Sequence, residues 1–87
     1  MKLLFTEPAW EDYQYWQAND PSMFDKINML IRDCRRSPFS GLGKPEPLKG
    51  NHKGWWSRRI NKEHRLIYRL ESDVLWMNQC RFHYDRR

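Results

Sequence analysis

A chain of 87 residues has room for one small domain with one modest hydrophobic core, read here as a single unit over 1–87. No apolar run approaches the length of a membrane span, and residues 1–5 are too short for a signal peptide, so a cytoplasmic protein without a membrane partner is expected. The net charge is +5 but uneven: residues 1–43 carry 5 basic and 6 acidic side chains, and residues 44–87 carry 11 and 5. With 15% aromatics, including five Trp and four Tyr, interleaved in a cationic half, a polyanionic partner such as nucleic acid fits. A solvated basic surface fits the same composition.

Taken in order, Lys2 to Thr6 reads as a short strand. Thr6 can cap a helix whose first turn holds Glu7 and Pro8, where an acid complements the dipole and a missing N–H costs nothing. That helix extends to about Asn19, with Ala9, Tyr13 and Trp16 on one face. Asp20-Pro21 stops it and starts another, to about Arg36, whose apolar stripe is Phe24, Ile27, Leu30, Ile31 and Cys34. Arg32, Arg35 and Arg36 suit the negative end of the helix dipole. Cys34 and Cys80 have neither metal-like nor redox-like spacing and read as buried, reduced thiols.

Residues 37–53 form a long linker with three of the four Gly and three of the five Pro. Such a connection in a compact domain is usually functional or mobile. Within it, Pro45 and Pro47 flank Glu46, Lys44 and Lys49 stand on either side, and a short extended segment over 46–49 can lie along a sheet.

Residues 54–84 read as three strands with turns at Asn61-Lys62 and Ser72-Asp73, because apolar and polar residues alternate. Successive strand side chains point to opposite faces. Leu66, Tyr68 and Leu70 then share one face, and Arg65, Ile67 and Arg69 the other. By the same parity Val74, Trp76, Cys80 and Phe82 line the core, leaving Gln79, Arg81 and His83 opposite. Arg59 falls in the groove and Arg58 becomes a rim or outer charge. His52 and His64 read as a loop residue and an edge or turn residue. The predicted fold is α+β: β-α-α followed by an antiparallel sheet, with both helices on one face and a partly open face bearing Arg65, Arg81 and His83.

A carboxylate, a histidine and several arginines around an open basic groove form a chemical set. Cleaving RNA requires a base for the 2′-OH proton, an acid for the leaving 5′ oxygen and cations for the charge that builds at phosphorus. The 2′-OH is an internal nucleophile, so neither a metal nor a protein nucleophile is required. Glu46, His83 and Arg65 fit base, acid and phosphate clamp. Singly, each also fits an ordinary surface role. No Gly-rich phosphate loop, zinc-spaced Cys/His pair or serine elbow is present in the sequence, and no cofactor is expected.

Several runs carry a resemblance: Lys-Pro-Glu-Pro-Leu-Lys (44–49), Trp-Ser-Arg-Arg-Ile (56–60), Glu-His-Arg-Leu-Ile-Tyr (63–68) and Cys-Arg-Phe-His-Tyr (80–84). With the opening Met-Lys-Leu-Leu-Phe, with Trp10, Asp12, Tyr13, Tyr15 and Trp16, and with Arg35-Arg36-Ser37-Pro38-Phe39, they resemble the YoeB/Txe toxins of the RelE/ParE superfamily. The resemblance implies a RelE/ParE-like, microbial-RNase-like fold with a twisted antiparallel sheet. It implies a toxin paired with a Phd/YefM-type antitoxin, a homodimer, and an endoribonuclease that cuts A-site mRNA on the 70S ribosome. It assigns Glu46 as general base, His83 as general acid and Arg65 as transition-state stabiliser. Arg59 would assist at the phosphate, Tyr84 would orient substrate, and Lys44 and Lys49 would hold RNA; Arg81 joins them as a substrate-binding cation of the open face. The extension Asp85-Arg86-Arg87 departs from chains that stop at Tyr84. Two alternatives share the fold: a ParE-like gyrase inhibitor, and a non-catalytic RNA- or ribosome-binding module.

Overall fold

The computed structural model describes residues 1–84, and the expectation about Asp85-Arg86-Arg87 lies outside them. The order is β1 (Lys2–Phe5), α1 (Glu7–Asn19), α2 (Pro21–Arg36), β2 (Glu46–Pro47), a 3-10 turn (Gly50–His52), β3 (Trp56–Arg59), β4 (Arg65–Glu71) and β5 (Val74–Gln79). Both helix starts follow from their caps. The Thr6 hydroxyl accepts the Ala9 N–H at 3.4 Å and donates to Asn78 O at 3.2 Å, tying α1 to the end of β5. The Asp20 carboxylate accepts the Met23 N–H at 3.2 Å, and Pro21 needs no partner for an absent donor.

The five strands lie in the order β1-β5-β4-β3-β2. The sheet is mixed, because β1 pairs parallel with β5 while the other pairs are antiparallel. A parallel pair needs a crossover, which α1, α2 and the strands β2 to β4 supply. Ser72 (φ 51°) and Asp73 (φ 59°) are both left-handed, as the tightest hairpin turn requires, and join β4 to β5 with Glu71 opposite Val74.

Both helices pack on one sheet face. Ala9, Trp16, Ile27, Leu30, Ile31 and Cys34 meet Leu66, Tyr68, Leu75, Met77 and Cys80 in the core. Each large apolar side chain buried this way contributes about 1.5–3 kcal/mol. The predicted helical stripes are all present there or packed against it, Tyr13 and Phe24 included.

Strand β5 departs from the expected parity. Ile67 faces Gln79 but Tyr68 faces Met77, so Asn78 is an extra residue, a bulge that reverses the alternation. Leu75 and Met77 are therefore the core residues together with Cys80, while Trp76 lies across from Arg69 on the other face. Phe82, expected in the core, is 38% exposed. Cys34 and Cys80 are buried free thiols, and burial pushes Cys34 up to about 11, far from a reactive thiolate. No helix among the described residues is long and apolar enough to cross a membrane.

Candidate active site

The linker carries Glu46 to the sheet edge. Glu46 pairs with Ser57 and Pro47 with Trp56, Leu48 N donates to Trp55 O at 2.9 Å, and the Leu48 side chain is buried. Proline suits this edge because it cannot donate to a ladder. With Leu48 anchored inward, Glu46 and Lys49 remain exposed, and they border a cleft of about 230 Å³ with Pro47, Leu48 and Tyr84.

The opposite wall comes from the chain after β5. The Tyr84 ring lies 4.3 Å from the His83 imidazole, centroid to centroid, and 5.1 Å from His52, which approaches edge-on. The structure thus gathers Glu46, Lys49 and Tyr84 around one cleft, with the His83 ring tilted against that of Tyr84. Arg65 is connected through its backbone, since Arg65 N donates to Phe82 O at 3.0 Å. Its guanidinium Nη1 donates to the carbonyls of Asn61, Lys62 and His64 at 2.7, 3.2 and 3.1 Å, which holds the arginine at the β3–β4 connection.

Other predicted cations fall elsewhere. Arg59 sits opposite Arg65 in the ladder, and with Lys44 it borders a second, larger cleft of about 450 Å³ beside Met29, Leu30 and Leu42. Arg81 does not join the open face. Its guanidinium carbon lies 3.5 Å from the centroid of the Tyr15 ring of α1, so the side chain is on the helix side; β5 ends at Gln79 and the chain turns at Phe82, so strand parity does not extend to Arg81.

Arg58 is the largest correction. Expected as a rim charge, it is 0% exposed. Nη1 donates to Asp33 Oδ2 at 2.5 Å and Leu42 O at 3.0 Å, Nη2 to Ser37 O at 2.5 Å and Ser40 O at 2.8 Å, and Nε to the Tyr68 hydroxyl at 3.1 Å. Tyr68 in turn donates to Pro38 O at 2.7 Å. All five guanidinium N–H groups thus meet acceptors, which a buried arginine requires. Gly41, at φ +109°, lies so close to the Asp33 carboxylate that a β-carbon would collide with it. The Leu42 N–H and then the Arg58 guanidinium hold the Asp33 carboxyl at about 2. Burial opposes the charge on Arg58, yet the bonds to Tyr68 and Asp33 outweigh it and its pKa rises; burial pushes the Tyr68 phenol to about 12. One signal for this knot was in the sequence, a carboxylate at Asp33 beside the apolar stripe of α2, but its local partner is Arg36, at 2.9 Å, and nothing local pairs it with Arg58.

His64 is a second omission. It lies edge-on to Trp16 at 4.9 Å, its Nδ1 accepts the Phe82 N–H at 2.8 Å, and burial lowers its pKa. Among the described residues, no group of three or more His, Cys, Asp or Glu side chains is arranged to hold a metal ion.

A family model described as the YoeB-like toxin of bacterial type II toxin–antitoxin systems matches residues 5–84. The chain is 56% identical over 84 residues to Toxin YoeB of Escherichia coli K12, covering 97% of this chain and 100% of that one. It is similar to the solved YoeB/ParE toxin from Agrobacterium tumefaciens, with a TM-score of 0.94, 56% identity, and 97% and 100% of the two chains covered. The toxin chain of a heterotetrameric YoeB-YefM toxin–antitoxin complex from Staphylococcus aureus follows the same course, with a TM-score of 0.88, 44% identity, and 97% and 98% covered.

Proposed function

The chain belongs to the YoeB-like toxins of bacterial type II toxin–antitoxin systems, and from that premise we propose that it is a ribosome-dependent endoribonuclease that cuts mRNA in the A site. The observation that carries this reading is the Glu46 carboxylate sharing its cleft with Lys49 and Tyr84, with the His83 ring in tilted contact with that of Tyr84. Glu46 takes the 2′-OH proton, the oxygen attacks the adjacent phosphorus, and His83 protonates the departing 5′ oxygen. Lys49 and Arg65 hold the phosphate and offset the charge that develops on it, and Arg59, opposite Arg65 in the ladder, assists from the neighbouring cleft. Tyr84 stacks on or orients the nucleotide at the cleft, and Lys44 adds cationic attraction along the RNA. Arg81, stacked on Tyr15, is left out of this substrate-binding set.

An exposed Glu46 and a wide, open cleft give little grip on free RNA, so the ribosome is proposed to order the message over the site. The cognate partner is proposed to be a Phd/YefM-type antitoxin whose acidic segment covers the cationic cleft, as the charge of residues 44–87 favours. A homodimer belongs to the same proposal, and gel filtration of the purified chain checks it.

The test is a translating extract programmed with one defined mRNA, with new 5′ ends mapped by primer extension. Wild type should produce ribosome-dependent cuts at A-site codons, and Glu46→Ala should produce none. An intact message with translation still blocked would reject catalysis in favour of a binding module, and inhibited supercoiling with intact mRNA would point to a gyrase inhibitor.

A further inference from the structure

The backbone that carries His83 and Tyr84 to the cleft is held almost group by group. Gln79, the last residue of β5, is 5% exposed, and its Nε2 donates to Arg81 O at 2.9 Å and to Phe82 O at 3.2 Å. His64 Nδ1 accepts the Phe82 N–H at 2.8 Å, and Arg65 N donates to Phe82 O at 3.0 Å. Before the turn, Cys80 N donates to Asp12 Oδ2 at 3.0 Å, and Cys80 O accepts from Trp16 Nε1 at 2.8 Å. Those two bonds fix the strand end without setting the direction taken after it.

Phe82 explains the density of restraint. Its φ is +66°, in the left-handed region that a non-glycine residue adopts only under strain, and its ring is largely outside the core. Nothing local favours that conformation in an aromatic residue. Yet the reversal there is what returns the chain from the helix side, where Arg81 meets Tyr15, to the cleft side, where Tyr84 meets His52.

We propose that Gln79 and His64 are positioning residues that lock the left-handed turn at Phe82 and so set His83 and Tyr84 at the Glu46 cleft. An amide suits this place because its two N–H donors serve two successive carbonyls from one buried side chain. Acceptance at Nδ1 leaves the His64 proton on Nε2, and the Trp16 ring fixes the imidazole plane. This inference rests on the reading of Glu46 and His83 as the reacting pair.

Gln79→Met keeps side-chain length and removes both donors, and His64→Phe keeps the ring and removes the acceptor. Each is compared with wild type in ribosome-dependent cleavage and by amide exchange and imidazole NMR of residues 82–84. Both variants should keep KM within about two-fold and lose kcat about ten- to hundred-fold, since displacements near 1 Å suffice for that. Amide exchange at 82–84 should rise in both. Adding Phe82→Gly to Gln79→Met should restore part of the lost kcat, because glycine takes a positive φ without strain. Unchanged NMR signals at 82–84 would overturn the clamp, and a released arm with wild-type kcat would overturn its positioning role. If Gln79→Met fails to fold, His64→Phe carries the test. A wild type that cuts no message would reject the reading of the site, and the NMR readout would then decide the clamp alone.

Discussion

Two clusters of this molecule use nearly the same side chains to opposite ends. One is the Arg58, Asp33 and Tyr68 knot under the linker, buried, with all five guanidinium N–H groups matched to acceptors. The other is the cleft above the sheet edge, where Glu46 and Lys49 are exposed, Tyr84 is half-buried, and the His83 ring lies beside that of Tyr84. A buried charge with every partner in place has no capacity left for a substrate and is worth keeping only as structure. A carboxylate facing solvent, as at Glu46, contributes little to stability and keeps its oxygens for a ligand. Partner saturation, rather than residue type, separates the scaffold from the site. The knot also serves the cleft, because it gathers the carbonyls of Ser37, Ser40 and Leu42 and so fixes the first half of the linker that leads to Glu46.

Removing the guanidinium should be the largest single loss. Arg58→Leu leaves the Asp33 carboxylate buried without its main cation and should cost about 3–5 kcal/mol in urea unfolding, a large share of a small domain's stability. Arg58→Lys should recover little of it, since one ammonium cannot serve acceptors arranged for a planar fork.

The cleft should respond in the reverse sense. Glu46→Gln and His83→Gln should stay within about 0.5 kcal/mol of wild type in the same unfolding measurement. Ribosome-dependent cleavage should nevertheless fall at least about 10²-fold. A stability loss at Glu46 equal to that at Arg58 would erase the distinction.

Acid unfolding sharpens the comparison further. The folded pKa of Asp33, about 2, lies below its ordinary 3.8, so its contribution is fully present above 3.8 and is lost as pH falls through about 2. Asp33→Asn should lower stability at neutral pH and flatten the curve within that window, while Glu46→Gln should leave the window unchanged. Equal slopes for wild type and Asp33→Asn would refute the assignment.

The smallest effect belongs to His64. Its pKa is lowered from 6.5 by burial, so its contribution is complete above 6.5 and declines as pH drops below it. A protonated imidazole cannot accept the Phe82 N–H, so protection of the Phe82 amide relative to its intrinsic exchange rate should fall over the same range. His64→Phe should abolish that pH dependence.

Much of this architecture was legible from local chemistry. Thr6 and Asp20 mark the helix starts through caps that act within three residues, and the stripe from Phe24 to Cys34 declares its buried face by period alone. The turn at Ser72-Asp73 and the extended segment at Glu46 were equally local. Parity failed where the ladder itself changed. The Asn78 bulge shifts the register between β4 and β5, so Leu75 and Met77 rather than Trp76 share the core with Cys80, and past the end of β5 the turn at Phe82 leaves that ring exposed and Arg81 on Tyr15. Alternation cannot reveal an extra residue whose cause is the fit between two strands.

By itself, the sequence determined the element types, the helix limits and the apolar faces of the helices, because each depends on neighbours a few positions away. Only the tertiary structure decided that Arg58 is interior, that β1 joins β5 in parallel, and that His64 and Gln79 hold the turn at Phe82. Those outcomes depend on which distant donors and acceptors meet, Asp33 with Arg58 across 25 positions and His64 with Phe82 across 18. Burial makes such meetings decisive, since a polar group cut off from water must find its partner within the protein.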